Sequence, residues 1–482
     1  MPDIILFTDI CSPGFGRYAG TYRIASELRA NGYKVQVIEY FTKWSTEELI
    51  SIIKKFVGKN TLWVGLSTTF LEYDRMLQTG KNRTNIFTAQ MTVTGRDDWQ
   101  ELVDEIRSIN PDCKIVAGGH KANHIRPDDK SFDIIIKGQG EESVLQITKE
   151  IEEKRPSKRT LNLGYERFST CSILWDDDDL IFPNEHLPIE IARGCIFKCS
   201  YCSYDLNGKK IWEFNRVPEL VKKEIEDARN RFGSTGFMFC DDTYNDSPEK
   251  VSRFHEEFMK MDFNIEFSSF ARLDLIVSHW ETAKQLYESG LRSVFFGVES
   301  FNTASGKSIG KGMPGEKLKE GLMRLREECP EMIILTGLIV GLPHDTPDTL
   351  RANNEWLMQP DCPVDVVSYH PLYIHPHDGS LMSQNPGQYG YELDGQGGWK
   401  RNDGFTREEA TALATELQLD FAKGEPLKRG AWTFFNRFQN LGFSAEQFKK
   451  TSLGYPNDVL DTEIIRREQE KFDFYKSRLL SL

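Results

Sequence analysis

The chain of 482 residues carries 60 basic and 73 acidic side chains, which leave a formal charge of −13. At roughly 150 residues per domain, this length predicts about three domains. The 39% hydrophobic and 12% aromatic content excludes wholesale disorder. The acidic balance, with no run of five or more Lys or Arg residues, disfavours nucleic acid as a partner.

Cysteine content and hydropathy indicate the compartment. Nine irregularly spaced cysteines do not suit a disulfide framework, and an odd number leaves at least one unpaired, as in a reducing cytoplasm. The most apolar stretch, Met332–Leu342, is about half of the ~20 residues that cross a bilayer. Near the start, Asp9 interrupts the apolar run before a signal sequence forms. We therefore expect a cytoplasmic protein without a membrane partner.

Residues 1–155 alternate between short apolar strands and helical segments. A helix is predicted at residues 22–30, and strands are predicted at residues 4–6, 34–39, 62–67, 114–117 and 133–136. This alternation predicts an α/β fold, namely a Rossmann-like (flavodoxin-like) doubly wound parallel sheet with its ligand crevice at the carboxyl ends of the strands. Residues 70–96 have no clear period and are predicted to form a long loop.

A charged linker is predicted at residues 156–186. It contains the acidic run Asp176–Asp179, which stands just before a new strand. A solvated turn is the simpler interpretation of this run, and a cation site is the alternative.

From residue 187 to residue 380, strands and helices alternate again. Strands are predicted at residues 188–193, 236–240, 265–271, 293–298, 332–340 and 364–370, and helices at 218–231, 248–261, 280–288, 316–327 and 346–358. This pattern predicts a partial (β/α)6 barrel, with an active site at the carboxyl ends of its strands. Residues 381–482 are predicted to form a helical C-terminal extension.

Three cysteines at a short spacing directly follow the first strand of the predicted barrel. They are Cys195, Cys199 and Cys202, in the pattern C-x3-C-x2-C. A structural zinc site needs four ligands, and His186 and Cys240, the nearest candidates for a fourth, lack the spacing of zinc knuckles. Three thiolates on one short loop suit instead an iron-sulfur cluster with one iron left open.

The cysteine spacing, its position after the first strand, and Tyr201 before the last cysteine resemble the radical S-adenosylmethionine (SAM) superfamily. The resemblance implies that the three cysteines hold a 4Fe-4S cluster, that SAM chelates the open iron, and that Tyr201 contacts adenine. It also implies reductive cleavage of SAM to a 5′-deoxyadenosyl radical in a protected cavity. Such chemistry needs an external low-potential electron donor such as flavodoxin or ferredoxin.

Further strand-end segments of this region resemble the same superfamily. The resemblance implies that Asp241 and Asp242 bind the methionine amine, that Arg272 meets a carboxylate, that Glu299 binds polar groups of the adenosyl moiety, and that Gly337, Ile339 and Gly341 form a backbone platform for adenine. Alternatives stay open: the two aspartates are also typical of a helix N-cap cluster, and Glu299 of a structural ion pair. The polar segment His370–Asp378 is either a substrate or cofactor contact or a structural loop.

The N-terminal domain resembles the cobalamin-binding domains that precede radical SAM barrels in one large class. Its strand-end turns imply these cobalamin-binding residues: Gly14, Ser67, Thr69, Gly118, Gly119, Gly138 and Glu141. Cys11 stands where the methionine-synthase type carries a cobalt-ligating His, so ligation of the lower cobalamin face stays open. The alternative is a flavodoxin-like domain with plain tight turns.

Together the two resemblances imply a radical SAM enzyme, specifically a cobalamin-dependent methyltransferase that acts on an unactivated carbon of a small-molecule or peptide substrate. One alternative is a non-methylating rearrangement or cyclisation enzyme with a degenerate cobalamin domain. Another is a non-catalytic cobalamin or redox sensor. Methylthiolation is disfavoured because Cys11, Cys113 and Cys171 lack the pattern of that family.

Overall fold

The structure is a computed structural model that describes residues 1–9, 16–69, 96, 98–125, 129–204, 206–374, 379–395, 397–422, 429–430, 435–443, 447–448 and 458–482. The chain forms two compact units. The first unit consists of Met1–Pro188, Lys223–Ser234 and Ile465–Leu482, and the second of Ile189–Lys222 and Thr235–Ile464. Residues 156–186, predicted as a linker, and the end of the chain therefore group with the first unit.

The first unit contains a six-stranded parallel sheet with the order β2-β1-β3-β4-β5-β6. Its strands are β1 (Ile4–Phe7), β2 (Val35–Ile38), β3 (Trp63–Ser67), β4 (Lys114–Gly118), β5 (Ile134–Ile136) and β6 (Thr160–Leu161). Its connecting helices are α1 (Ala19–Ala30), α2 (Thr46–Phe56), α3 (Trp99–Ile109) and α4 (Glu141–Glu152). The flavodoxin-like doubly wound fold is confirmed, and its crevice lies where the order reverses, at the carboxyl ends of β1 and β3.

Helix α2 shows how local sequence forms these elements. Ser45 and Glu48 form a capping box, in which each side chain accepts a hydrogen bond from the other residue's backbone N–H. Four apolar residues of α2 recur at helical spacing and are buried: Leu49, Ile52, Ile53 and Phe56. Cap and spacing together start the helix and orient its apolar face toward the core.

The acidic run before the second unit is a short 3-10 turn, Asp177–Asp179, which Asp176 caps. The Asp179 side chain is fully buried, and its two oxygens accept hydrogen bonds of 2.7 and 2.8 Å from the Arg29 guanidinium. The prediction of a solvated turn is therefore wrong for Asp179. A cation site is also not formed by this carboxylate, since Arg29 already neutralises it.

The second unit contains a seven-stranded sheet in which β7 to β12 follow chain order and β15 is added at the β12 edge. Its strands are β7 (Leu187–Ile189), β8 (Gly236–Phe239), β9 (Glu266–Ala271), β10 (Leu291–Glu299), β11 (Ile333–Val340), β12 (Val366–Pro371) and β15 (Arg429–Gly430). Helix α5 (Pro218–Phe232) begins in the second unit and groups with the first unit from Lys223 onward. The other helices up to β12 are α6 (Pro248–Phe258), α7 (Leu273–Ser278), α8 (Glu281–Glu288), α9 (Thr303–Ser308), α10 (Gly315–Glu328) and α11 (Pro347–Leu357). The predicted six-strand alternation is confirmed, although β7 ends at Ile189, earlier than expected.

The C-terminal extension is helical with one hairpin. It contains α12 (Leu381–Gln384), the antiparallel strands β13 (Tyr391–Leu393) and β14 (Trp399–Arg401), α13 (Arg407–Ala422), α14 (Phe435–Asn440) and α15 (Asp458–Ser481). None of the helices in the described ranges is long and apolar enough to cross a membrane.

One cluster of buried side chains fills the amino-terminal half of one face of the second sheet. From the C-terminal extension it includes Phe438, Leu441, Phe443 and Phe448, and from the sheet Ile333, Leu335 and Val366. Because side chains alternate along a strand, Ile333 and Leu335 share this face with Gly337 and Ile339. The extension therefore covers the amino-terminal half of this face, and the predicted site residues line the carboxyl-terminal half.

Candidate functional site

The three cysteines lie on one tight loop, the cysteine loop (residues 195–202), which follows β7. Gly194 enters the loop with a φ of +69°, and a Cβ there would lie 2.5 Å from the Cβ of Leu206. The Cys195 carbonyl accepts a hydrogen bond of 2.8 Å from the Gly208 N–H. Only glycine combines this φ with so close an approach, so Gly194 fixes where the loop returns.

Each cysteine sulfur has one polar side chain within hydrogen-bonding distance. The Sγ of Cys195 lies 3.4 Å from Thr243 Oγ1, that of Cys199 accepts from Arg272 Nη1 at 3.5 Å, and that of Cys202 accepts from Asn207 Nδ2 at 3.0 Å. Burial raises the pKa of the Cys199 and Cys202 thiols, so nearby positive charge is needed to hold them as thiolates at neutral pH. Bound metal supplies such charge.

A single metal ion and an iron-sulfur cluster need different ligand arrangements. Within the described ranges, no group of three or more His, Cys, Asp or Glu side chains is arranged to hold one ion. In an iron-sulfur cluster each thiolate binds a different iron, so the three sulfurs need not converge on one ion. The assignment of the loop to a cluster rests on the C-x3-C-x2-C spacing.

Asp241 binds the backbone that leads into the cysteine loop. Its buried carboxylate accepts backbone hydrogen bonds from Ile191, at 3.4 Å, and from Ala192, directly before the loop. Burial raises the pKa of Asp241 to about 7, against the opposing charge of Lys250. Asp241 thus holds the backbone that leads into the loop, and its binding of the SAM amine stays a prediction. Asp242 is exposed, and its carboxylate interacts with the Gly194 backbone N–H.

Tyr201 and Glu299 form one hydrogen-bonded group with Lys311. The Tyr201 hydroxyl donates to Glu299 Oε1 at 2.7 Å, and Lys311 Nζ lies 2.9 Å from the same oxygen. Glu299 ends β10 with a φ of +67°, at a register shift that follows Gly297. Glu299 thus forms the structural ion pair that was the alternative interpretation of this residue. Its second oxygen, Oε2, takes no part in these contacts.

The predicted partner of Arg272 is a carboxylate of the protein. Its Nε and Nη2 donate to the two oxygens of Asp274, at 3.0 and 2.6 Å. Asp274 thus binds Nε and Nη2, two of the donors that the resemblance assigns to ligand recognition. The remaining nitrogen, Nη1, lies at the cysteine loop.

Gly337 in β11 and Gly341, just after the end of that strand, both approach aromatic rings of the protein. A Cβ on Gly337 would lie 2.6 Å from the Phe295 ring, and one on Gly341 would lie 2.6 Å from the Trp399 ring. Ile339 stands between the two glycines and is 9% exposed. The close approach that both glycines permit is thus to aromatic side chains, and the backbone platform for adenine at Gly337, Ile339 and Gly341 stays a prediction.

His370 extends this face on the neighbouring strand β12. Its Nε2 lies 2.5 Å from the Ser368 hydroxyl, and the register places Ser368 beside Gly337. Burial lowers the pKa of His370 to about 4, so the imidazole is neutral at physiological pH. The remaining part of the polar segment, residues 375–378, lies outside the described residues.

In the first unit, the ends of β3 and β4 bring four predicted cobalamin-binding residues together. Ser67 pairs with Gly118, and a Cβ on Gly119 would lie 2.7 Å from the backbone nitrogen of Thr69. A Cβ on Gly118 would meet no atom of the described residues within 4 Å. Gly119 therefore closes the two turns against each other at the carboxyl ends of β3 and β4, and no described atom crowds Gly118.

The remaining cobalamin predictions fall at β5 and in the first loop. Gly138 follows β5 with a φ of +69° and faces Asn162, whose Oδ1 would lie 2.5 Å from an added Cβ. Glu141 begins α4 and is 2% exposed, so its side chain belongs to the interior of the unit. Gly14 and Cys11 lie outside the described residues.

Four residues near the cysteine loop carried no sequence signal of a role. Thr243, Asn207 and Lys311 contact the loop or Glu299 as described, and Lys209 is 8% exposed with no hydrogen-bond partner for Nζ among the described residues. Asn207 precedes a glycine, which by itself indicates a turn. Only the folding of distant segments onto the loop reveals these contacts.

Comparison with known proteins decides the family. The sequence profile described as the Radical SAM superfamily matches residues 189–357, the region that holds β8 to β11 and the cysteine loop. Residues 189–357 form a radical SAM domain. Such a domain implies a 4Fe-4S cluster and S-adenosylmethionine as cofactors.

Curated relatives of this radical SAM chain match it over about half its length. An uncharacterized methyltransferase of Pyrococcus horikoshii is 22% identical over 270 residues, 51% of this chain and 58% of that protein. The anaerobic magnesium-protoporphyrin IX monomethyl ester cyclase of Cereibacter sphaeroides is 26% identical over 296 residues, 54% of this chain and 47% of the cyclase. The chain thus spans about half the length of the curated relatives it matches.

A solved structure covers both units of the radical SAM chain. It is the radical S-adenosylmethionine methyltransferase TsrM from Kitasatospora setae, solved with cobalamin and a [4Fe-4S] cluster bound. The TM-score is 0.57 at 17% identity, over 80% of this chain and 77% of that one. The two chains share a fold.

Proposed function

We propose that the protein is a radical SAM enzyme that cleaves S-adenosylmethionine reductively and methylates an unactivated carbon with the help of cobalamin. The observation that carries this proposal is the cysteine loop itself. Three sulfurs on one short loop each lie within hydrogen-bonding distance of a polar side chain, in the region that matches the radical SAM profile.

The residues around the loop suit an anionic cluster held by Cys195, Cys199 and Cys202. Lys209 carries a buried amine without a hydrogen-bond partner in the described part of the chain, and its electrostatic partners include Cys195. A cluster on three thiolates adds negative charge beside this amine and beside Arg272, which offsets the cost of burying both cations. When bound, the cluster supplies the single electron that cleaves the SAM sulfonium bond.

Several residues are available to bind SAM and keep water from it. Asp242 offers an exposed carboxylate to the methionine amine, and Glu299 offers its second oxygen to the ribose hydroxyls. Tyr201 holds Glu299 in place through its hydroxyl, and Lys311 neutralises the charge of that carboxylate. The backbone at Gly337, Ile339 and Gly341 is proposed to contact the adenine base at the carboxyl end of β11.

The first unit is proposed to bind cobalamin at the ends of β3 and β4. No described atom crowds Gly118, and together with the tight turn at Gly119 this leaves room at the carboxyl edge of the sheet for a corrin. The structurally similar TsrM is solved with cobalamin bound. Ser67 and Thr69 are placed on the same edge to hydrogen-bond with such a ligand.

A second candidate function is radical cyclisation without methyl transfer. It is favoured by one observation, the 26% identity to the anaerobic cyclase of Cereibacter sphaeroides. In that case the first unit has a different use, and the second unit keeps the SAM chemistry. A non-catalytic cobalamin or redox sensor is the remaining alternative.

The proposed partners follow from the chemistry. Radical SAM enzymes act on small molecules and need a reductant, and we propose a flavodoxin or ferredoxin as the donor and a small molecule or peptide as the substrate. The eight cysteines of the described residues are all free thiols, which supports a reducing compartment such as the cytoplasm.

Anaerobic reconstitution followed by turnover tests the proposal. The wild-type protein is expected to bind about four iron and four sulfide per chain. With SAM and reductant it should release 5′-deoxyadenosine and S-adenosylhomocysteine. A cyclase should release 5′-deoxyadenosine alone, and a sensor neither product. A corrin absorbance band that survives gel filtration supports the cobalamin site.

Two alanine variants test the cluster ligands. Cys199→Ala is expected to lose the cluster, whereas Cys329→Ala, which changes a buried cysteine away from the loop, is expected to retain it. Zinc bound in place of iron in the wild-type protein, or full iron binding by Cys199→Ala, would contradict the assignment.

A further inference from the structure

The guanidinium of Arg272 is held in a single orientation. Asp274 accepts from its Nε and Nη2 at 3.0 and 2.6 Å, and the face of its guanidinium lies 3.9 Å from the centre of the Phe197 ring. The backbone is fixed as well, because the Arg272 N–H donates to Asn245 Oδ1 at 2.8 Å and its carbonyl accepts from Asn245 Nδ2 at 2.9 Å. The side chain is 7% exposed. Rotation of this cation away from its position would break several contacts at once.

The one remaining arm of the guanidinium points at a cluster ligand. Arg272 Nη1 donates to the Sγ of Cys199 at 3.5 Å. The side chains that contact the other two cysteine sulfurs, Thr243 and Asn207, are neutral. Among these hydrogen-bond partners, Cys199 alone faces a formal positive charge, and that charge is partly balanced by Asp274.

We propose that Arg272, clamped by Asp274 and Phe197, is a positioning residue that raises the reduction potential of the cluster through Cys199. The inference rests on the proposed function, because it needs a cluster at the cysteine loop. Reduction adds one electron from the external donor to the cluster and no proton. A fixed cation and a hydrogen bond at a thiolate ligand stabilise the more negative, reduced state.

This role differs from the one that the family resemblance assigns to Arg272. Asp274 occupies the Nε and Nη2 side of the guanidinium and Nη1 donates to Cys199, so this geometry favours the sulfur over a carboxylate of the ligand. Asp274 also weakens the field of Arg272 at the sulfur. The two members of the ion pair are therefore expected to act on the potential in opposite directions.

Redox titration of the reconstituted protein, without SAM and monitored by the electron paramagnetic resonance signal of the reduced cluster, tests the proposal. Arg272→Gln removes the charge and is expected to lower the equilibrium constant for reduction at least tenfold, a shift of about 59 mV to lower potential for one electron. Asp274→Asn removes the opposing charge and is expected to shift the midpoint to higher potential. Arg272→Lys keeps the charge and should stay between wild type and Arg272→Gln.

Arg292→Gln is the matched control. Arg292 also stacks on an aromatic ring, 4.7 Å from the centre of Tyr287, but its guanidinium binds the Tyr287 and Leu291 carbonyls. Its loss is expected to leave the midpoint unchanged. A purely structural role of the Arg272–Asp274 pair would instead give Arg272→Gln and Asp274→Asn the same direction of shift.

The outcomes separate this inference from the proposed function. A wild-type protein that binds no iron removes the proposed function, whereas a cluster whose midpoint is equal in wild type, Arg272→Gln and Asp274→Asn overturns only the role of Arg272. An unchanged midpoint together with weaker SAM binding by Arg272→Gln returns Arg272 to carboxylate recognition and also overturns the inference. If Arg272→Gln does not bind iron, the test rests on Asp274→Asn, whose midpoint potential is expected to shift upward.

Discussion

Replacement of Gly194 with alanine tests whether the return of the cysteine loop depends on one glycine. The φ of +69° costs an L-residue about 1–2 kcal/mol. The added Cβ would also lie 2.5 Å from Leu206 Cβ and 2.6 Å from its carbonyl oxygen. Relief of that overlap requires a backbone shift that costs about 1–3 kcal/mol. The substitution is therefore expected to destabilise the fold by about 2–5 kcal/mol in total. The strain falls on Leu206, which directly precedes Asn207 and its amide donor.

Substitutions at two further glycines separate the cost of the backbone conformation from the cost of the steric overlap. Gly310 has a φ of +86°, but a Cβ there would meet nothing closer than 3.8 Å, so Gly310→Ala is expected to cost only the backbone term, about 1–2 kcal/mol. Gly312 lies outside the left-handed region, with Lys307 Cγ at 3.8 Å from an added Cβ, so Gly312→Ala is expected to be nearly neutral.

The assay is iron content after anaerobic reconstitution, combined with the urea midpoint of unfolding. We expect Gly194→Ala to bind well under half of the wild-type iron and to unfold at a lower urea concentration than either control. If Gly194→Ala matches Gly310→Ala in both measurements, the contact with Leu206 is not what positions the loop, and the reasoning fails.

Three further perturbations test the fold around the site. Asp241→Asn removes a carboxyl whose pKa burial raises from 3.8 to about 7; because the folded state holds that proton more tightly, the wild type should lose up to about 4 kcal/mol between pH 4 and 7. Urea unfolding at pH 5 and at pH 8 should show no such loss of stability in the variant. An equal fall in the free energy of unfolding in wild type and variant would contradict the assignment. Phe438→Ala empties a fully buried position and should cost about 3–5 kcal/mol, whereas an unchanged urea midpoint would contradict its place in the core. Asp179→Ala leaves the charge of Arg29 buried and should cost about 3–5 kcal/mol. An Arg29→Met/Asp179→Leu double variant should recover most of that loss, and a double variant less stable than Asp179→Ala would show that the burial of charge is not the cause.

The alternation of elements was predictable because it is written in consecutive residues. The apolar run of β11, the capping box at Ser45 and the Pro248 start of α6 each depend on neighbours within one turn or one strand. The cysteine spacing belongs to the same class, since three ligands on one loop need no distant contact to be recognised. From these patterns the fold class of each unit and the resemblance to the family follow.

The partners of the polar side chains could not be predicted in the same way. Asp179 binds Arg29, which lies 150 positions earlier, and Asp241 binds the backbone of residues about 50 positions earlier. In both cases a carboxylate with a plausible ligand role is already satisfied by the protein. Periodicity carries no information about such pairs, because it reports which residues face the core and not which donors arrive there.

The sequence by itself determined the α/β order, the two units' fold classes and the chemistry of three thiolates on one loop. Only the tertiary structure decided what the polar groups of the site contact: Asp241 accepts from the backbone before the cysteine loop, Asp242 is exposed, and Arg272 pairs with Asp274. The physical reason is that secondary structure arises from local hydrogen bonds and spacing. A site depends on which hydrogen-bonding capacity remains after distant segments have packed together.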